Sequence, residues 1–333
     1  MNHEETRVRL KNWLPAVACG AALALGAAAC GEDDEAGANS GNDGETAVLA
    51  GAIRIDGSST VAPLSEPLGE LFNEENPDVN VTVGTSGTGG GFEKFCAGET
   101  DISDASRPIE AEEERACAEG GVEYEELVVA NDGLTVVVNP ENPISCVSVE
   151  QLAQIYGPKA TAGNWSEIKG LDAEFDAELE IFSPGSDSGT FDYFTEAING
   201  EEGAQRSQGV NVVGEDDNAT VTGVAGSEGG IGYFGYSFYA ENQDRLKALE
   251  IRNPETGECV APSPETVQSG EYAPLGRQLY IYPSAQALER PEVRAFVSFY
   301  LENVNSVAER AGFIPLTEEQ LEASREKLAR LAG

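Results

Sequence analysis

Apolar positions along this chain switch between two periods, and three times the switch crosses a turn of small hydroxyl residues. Ile53 and Ile55 alternate with polar neighbours, as in a half-buried strand. After Gly57-Ser58-Ser59-Thr60, Leu64, Leu68 and Leu71 recur at helical spacing, with Pro63 suited to a helix's first turn. Val79, Val81 and Val83 share one strand face, then Gly84 to Gly91 lead into a helix through Phe92 and Phe95. Leu179 to Phe182 form a third strand, followed by Ser183 to Thr190 and a helix from Phe191 to Ile198. Leu127 to Ala130 and Leu134 to Val138 predict two buried strands with Asn131-Asp132-Gly133 between them. Further strands are predicted at Val210 to Val213, Gly229 to Phe234 and Leu279 to Tyr282. Helices are predicted at Ser148 to Tyr156, Val293 to Tyr300 and Leu316 to Leu331. Such alternation predicts an α/β fold with mostly parallel sheets, whose ligands sit beyond the carboxyl ends of strands.

All three hydroxyl turns fall at such ends. Ser and Thr at a helix start are ordinarily caps. They also present hydroxyls and unpaired backbone N–H groups at the positive end of the helix dipole, an anion site in outline. Glycines around Thr88 allow the backbone to approach a ligand. No Lys follows these loops in nucleotide P-loop spacing. Three converging turns would hold a small oxyanion with neutral donors.

The chain has 333 residues and a formal net charge of −39, which disfavours nucleic acid and anionic lipid as partners. Anion binding survives this acidity, because cleft dipoles act at shorter range than screened surface charge. His3 is the sole histidine, in a segment expected to be removed, so His-dependent nucleophilic catalysis and His-ligated metals are excluded. No carboxylate pair stands out for hydrolysis among 59 acidic residues. The expectation is a binding protein that does no chemistry and needs no metal or cofactor.

Arg7, Arg9 and Lys11 precede an apolar run from Ala16 to Ala29, too short to span a bilayer comfortably. Small residues before Cys30 resemble a bacterial lipobox, so residues 1–30 are expected to be a lipoprotein signal and Cys30 the lipid-bearing residue. Plain secretion is the other reading. Residues 31–50, rich in Gly, Asp, Glu and Asn, follow as a tether. Export to an oxidising compartment would pair Cys96, Cys117, Cys146 and Cys259 in two disulfides, for which three pairings are open.

Asp56 to Pro63, Gly84 to Gly91, Ser106 to Ile109 and Ser186 to Phe194 together resemble the periplasmic phosphate-binding protein family, the substrate-binding lipoproteins of bacterial ABC importers. The resemblance covers nearly all of residues 51–315. It implies two α/β lobes joined by two hinge strands, with the ligand in the cleft between them. Lobe 1 would be residues 51–130 plus 276–333 and lobe 2 residues 131–275, crossing near Ala130 to Gly133 and Leu275 to Leu279. Cys96–Cys117 and Cys146–Cys259 are the expected disulfides, because each then stays within one lobe. The implied partners are inorganic phosphate, a membrane permease with its ATPase, and the outer face of the cytoplasmic membrane through the lipid anchor, for a monomeric protein.

Carried over by position, Ser59, Thr60 and the N–H of Val61 resemble first-loop ligands, Thr88 a hydroxyl ligand, and Ser188, Gly189 and Thr190 the ligands of the second lobe. Two departures stand out. The best-known branch has an Asp acceptor where this chain has Ser106, and an Arg where it has Pro184. Arg107 is expected either to replace that guanidinium or to form a structural ion pair. Arg277 is expected in an inter-strand ion pair. Phosphate at neutral pH carries a proton that a buried carboxylate can accept, which disfavours sulfate. Asp187, Asp217 and Asp56 are the candidates for that role. The alternatives are a receptor for another oxyanion such as sulfate or molybdate, a histidine-free secreted phosphatase, or an adhesion lipoprotein.

Overall fold

The computed structural model describes residues 48–332 except 215. The signal segment, Cys30 and nearly all of the tether lie outside the described residues. Among the described residues twelve strands form: β1 (Gly51–Gly57), β2 (Val79–Gly84), β3 (Ile102–Ala105), β4 (Leu127–Val138), β5 (Cys146–Val147), β6 (Glu180–Ser183), β7 (Val210–Val212), β8 (Gly230–Gly235), β9 (Lys247–Ala248), β10 (Glu250–Arg252), β11 (Cys259–Val260) and β12 (Gly276–Pro283). Between and after them run helices α1 (Ala62–Glu75), α2 (Gly87–Cys96), α3 (Ala111–Gly120), α4 (Val149–Tyr156), α5 (Gly189–Asn199), α6 (Asp217–Gly226), α7 (Tyr236–Glu241), α8 (Pro264–Gln268), α9 (Ala285–Leu288), α10 (Pro291–Arg310) and α11 (Glu318–Ala332). Among the described residues, no helix is long and apolar enough to cross a membrane.

The sheets are mixed rather than mostly parallel. The main sheet runs β2-β1-β3-β12-β4-β8-β6-β7, with β9 paired to β4. Pairing is parallel at its two ends, β2 to β3 and β8 to β7, and antiparallel through β12 and β4 in the middle. The chain enters the second half through β4 and returns through β12, and two strands running opposite ways side by side pair antiparallel. Glu250 and Ile251 of β10 pair with β5, and β11 completes a small second sheet.

Residues 127–138 are one continuous strand, not two separated by a turn. Asn131 is fully buried and its backbone pairs with Ile314, at 2.9 and 2.8 Å. Gly133 stays extended beside Val267, whose methyl would lie 2.8 Å from any Cβ added there. Tertiary pairing thus overrides a local Asn-Asp-Gly turn signal.

The described residues hold together as one compact unit by backbone contacts. Within it the apolar core is divided. One cluster gathers β1, α1, α10 and α11 around Ile53, Leu64, Phe72, Phe296 and Tyr300. The other gathers Leu134, Tyr156, Trp165, Phe194 and Tyr233. The chain passes between them along β4 and β12, where Gly276, Arg277, Gln278 and Leu279 pair with Gly133, Asp132, Asn131 and Ala130. Ile314 adds a third passage: it belongs to the second cluster although α10 and α11 on either side belong to the first. Cys96–Cys117 and Cys146–Cys259 are both bonded, so the open choice among pairings resolves to the expected one.

Candidate functional site

The hydroxyl turns differ from the ordinary serine and threonine caps elsewhere in the fold. Helices α4, α6, α8, α9 and α11 begin on a side chain that accepts a first-turn N–H: Ser148, Asp216, Ser263, Ser284 and Thr317. Helices α1, α2 and α5 have no side-chain cap. Val61 at the head of α1 cannot supply one. Ser86 and Ser188, at the heads of α2 and α5, could and do not. Their hydroxyls and first-turn amides are therefore not satisfied by each other, as caps would be. Of the other described helices, α7 and α10 also lack a side-chain cap, at Gly235 and Arg290, and α3 is closed from within, its Glu113 carboxylate accepting the Glu110 N–H.

The first two turns meet. Ser59, Thr60, Thr88 and Ser106 line a cavity of about 350 Å³, together with Arg277. Asp192, Tyr193 and Glu202, from the second half of the chain, line it too. Larger cavities lie elsewhere, about 910 Å³ beside Arg54 and Arg290 and about 580 Å³ beside Pro158 and Asn199, and neither gathers these turns. Thr88 and Ser106 touch through their hydroxyls at 3.0 Å, and the Ser106 N–H donates to Thr88 Oγ1 at 3.2 Å. Ser58 is buried and organises its turn: its N–H donates to the Asp104 carbonyl and its hydroxyl accepts from the Thr60 N–H.

The third turn approaches from the opposite side. Gly189 starts α5 so close to Thr60 that a Cβ there would lie 3.2 Å from Thr60 Oγ1. Ser188 is buried, and Gly189 and Thr190 are half-buried. These three do not line the 350 Å³ cavity itself.

Several expected residues are placed differently. The Val61 N–H, expected to face the ligand, donates to the Ser58 carbonyl at 3.2 Å, and its side chain is fully buried. Arg107 takes the ion-pair reading: it holds both carboxylate oxygens of Glu113 at 2.8 Å and lies 3.4 Å from Glu110. The Glu113 hydrogen bonds raise its pKa further against the cost of burial. It lines a neighbouring cavity, beside Glu196 and Pro274. Asp56 is committed to Ser86 and Lys94. Asp187 is exposed, with one carboxylate oxygen 2.7 Å from where a Gly185 Cβ would stand. Asp217 begins α6 and does not line the cavity.

Arg277 is the guanidinium that the cavity does contain. It forms the expected inter-strand ion pair, 3.2 Å from Asp132 on β4, and also donates to Thr60 Oγ1 at 3.1 Å. Its position on β12 was legible; its reach across the sheet end to Thr60 was not. Asp192 was missed altogether. It follows the Ser-Gly-Thr run by two residues, and a helical residue at that distance faces back over the first turn. Burial pushes its pKa up, opposed by Arg277 and reinforced by Glu196.

The sequence profile of the PBP superfamily domain matches residues 31–304. Protein SphX from Synechococcus elongatus is 45% identical over 285 residues, 85% of this chain and 83% of its own length. The phosphate-binding protein PstS of Staphylococcus saprophyticus is 38% identical over 330 residues, 97% of this chain and 96% of its own. A crystal structure described as that of a possible phosphate binding protein from Planctomyces limnophilus superposes with a TM-score of 0.81 at 42% identity, covering 86% of this chain and all of that one. With relatives aligned over most of both lengths, and with an α/β fold divided between two cores, the chain belongs to the periplasmic phosphate-binding protein family.

Proposed function

We propose that this chain is the extracytoplasmic receptor of an ABC importer, capturing inorganic phosphate between two lobes and handing it to a membrane permease. The observation that carries the reading is the meeting of the hydroxyl turns before α1 and α2 with Arg277 around one cavity. Neutral N–H and O–H donors surround an oxyanion without fixing its charge in one place, and one guanidinium adds charge-assisted donors. The ligand set on this reading is Ser59, Thr60, Thr88, Ser106, Arg277 and the α5 start at Ser188, Gly189 and Thr190. The lobes are residues 51–130 with 276–333, and residues 131–275. The chain binds and carries and does no chemistry. It acts as a monomer, held to the membrane by lipid on Cys30.

Asp192 takes the acceptor role in place of Asp187, Asp217 and Asp56. It lines the same cavity as Arg277, and as a carboxylate it can accept a hydrogen bond from the O–H that phosphate carries and sulfate lacks. The test is calorimetric titration of residues 31–333, stripped of bound ligand, with phosphate and with sulfate as competitor. One-to-one phosphate binding indifferent to excess sulfate is expected. Asp192→Asn should then bind the two anions comparably. Absence of heat with phosphate overturns the receptor reading. Unchanged selectivity in Asp192→Asn removes the acceptor role from Asp192 alone. A receptor for sulfate or molybdate is the second reading, and tight sulfate binding by the unaltered protein is the outcome that favours it.

A further inference from the structure

We propose that Asp56 is a positioning residue for the anion site: it draws the Ser86 hydroxyl away from the head of α2, leaving that helix's first amides to the ligand, while Lys94 neutralises its charge. The inference rests on the receptor reading above.

Asp56, next to last in β1, lies directly opposite Gly84 of β2. Its Oδ1 accepts both the N–H of Ser86, at 3.1 Å, and the Ser86 hydroxyl. Its Oδ2 accepts from Lys94 Nζ at 2.6 Å. Ser86 occupies the N-cap position of α2, where a serine hydroxyl ordinarily turns inward onto the amides at the second or third helical position. Here the hydroxyl is held by the carboxylate instead. The surrounding glycines make the arrangement sterically possible. A Cβ at Gly84 would collide with Asp56 Oδ2, and one at Gly90 would sit 3.0 Å from Ser86 Oγ.

A cap and a ligand compete for the same amides, so a protein that binds an anion at a serine-headed helix must keep the serine off them. Thr88, the second residue of α2, lies on the cavity with its hydroxyl on Ser106. The Asp56 clamp therefore fixes the turn that aims Thr88. A carboxylate is a hazardous choice for this task, because it would repel the oxyanion it serves. Lys94, two turns along the same helix, removes the hazard. The burial of Asp56 pushes its pKa up, but hydrogen bonds from Lys94 and Ser86 outweigh this and hold it below its ordinary value, so the carboxylate stays ionised.

Two pairs of variants test this by phosphate titration calorimetry, with unfolding temperature recorded for each. Lys94→Met leaves Asp56 unneutralised and should weaken binding on the order of tenfold, a typical cost of one nearby like charge. Adding Asp56→Asn, which keeps the acceptor and loses the charge, should restore most of that loss. Asp56→Ala frees Ser86 to cap α2 and should also weaken binding, and adding Ser86→Ala should restore it, because alanine cannot cap. A role in folding alone gives losses that add and track the unfolding temperature. Additive losses, or a Lys94→Met protein that binds as the unaltered one does, overturn the inference while leaving the receptor reading intact. Failure of the unaltered protein to bind phosphate overturns both.

Discussion

The guanidinium of Arg277 stands 3.5 Å from the ring centroid of Tyr193, a residue of α5, while the same guanidinium bonds Thr60 beside β1 and pairs with Asp132 on β4. Tyr193 in turn donates its hydroxyl to the Pro274 carbonyl at 2.8 Å, just before β12. One side chain thus ties a hinge strand to turns from both halves of the chain. Arg277→Met keeps the length of the stem and removes the charge and the fork. Phosphate affinity should fall about 10- to 100-fold, the scale of a charge-assisted hydrogen bond lost from a closed site. Arg277→Lys should recover only part, since an ammonium cannot bond Asp132 and Thr60 with one planar fork. Titration calorimetry reads both.

Gly189 is required by proximity rather than by its own backbone angles. A Cβ there meets Thr60 Oγ1 at 3.2 Å, closer than ordinary van der Waals contact. Gly189→Ala should hold the two turns apart and weaken phosphate binding, with little change in unfolding temperature of the ligand-free protein. The contrast is Gly91→Ala, whose Cβ would come 2.5 Å from the Gly57 backbone and should lower the unfolding temperature directly.

Asp104 sets an alkaline limit on stability. It is almost fully buried, and neither oxygen has a hydrogen-bond partner. The Ser65 hydroxyl beside it is engaged with Tyr300 at 3.0 Å. Burial, with Ser65 opposing and the charges of Asp56 and Glu66 adding, pushes its pKa up to about 8. A pKa raised on folding means that the folded state holds the proton longer than the unfolded chain. The stability from this group is full below the unfolded value near 3.8 and is lost as pH rises to about 8. Asp104→Asn mimics the protonated side chain. Its unfolding temperature should exceed that of the unaltered protein at pH 9 and converge with it toward pH 4, in thermal scans across that range.

The two disulfides should differ in worth. Cys96–Cys117 closes a separation of 21 residues and Cys146–Cys259 one of 113. On chain entropy alone the first stabilises by about 3 kcal/mol and the second by about 5 kcal/mol. Double Ala replacement at each pair, followed by denaturant unfolding, should show the larger loss for Cys146 and Cys259.

Local chemistry was enough to place the strands and helices that flank the hydroxyl turns. Alternation at Ile53 and Ile55 and helical spacing at Leu64 and Leu68 specify β1 and α1 because each side chain's face follows from its own backbone period. The hydroxyl turns were legible for the same reason, since a strand end, a small polar turn and a helix start are contiguous in the chain. The Asn131-Asp132-Gly133 segment was not. Its turn signal is local, but its partners, Ile314 and β12, lie far along the chain.

The charges of the site were decided only in three dimensions. Arg107 and Arg277 look alike in sequence, each beside a hydroxyl or a strand. Glu113, six residues on, captures the first; Asp132 and Thr60, both more than a hundred residues away, orient the second. Asp56 looked like an acceptor until Lys94 and Ser86 proved to occupy it, and Asp192 looked like an ordinary helix residue until α5 met the cavity. Backbone period is a property of consecutive residues, so the sequence by itself determined where the main strands, helices and hydroxyl turns lie. The partner of a charge is whichever side chain folding brings within about 4 Å, where Coulomb attraction becomes appreciable. Only the tertiary structure decides that.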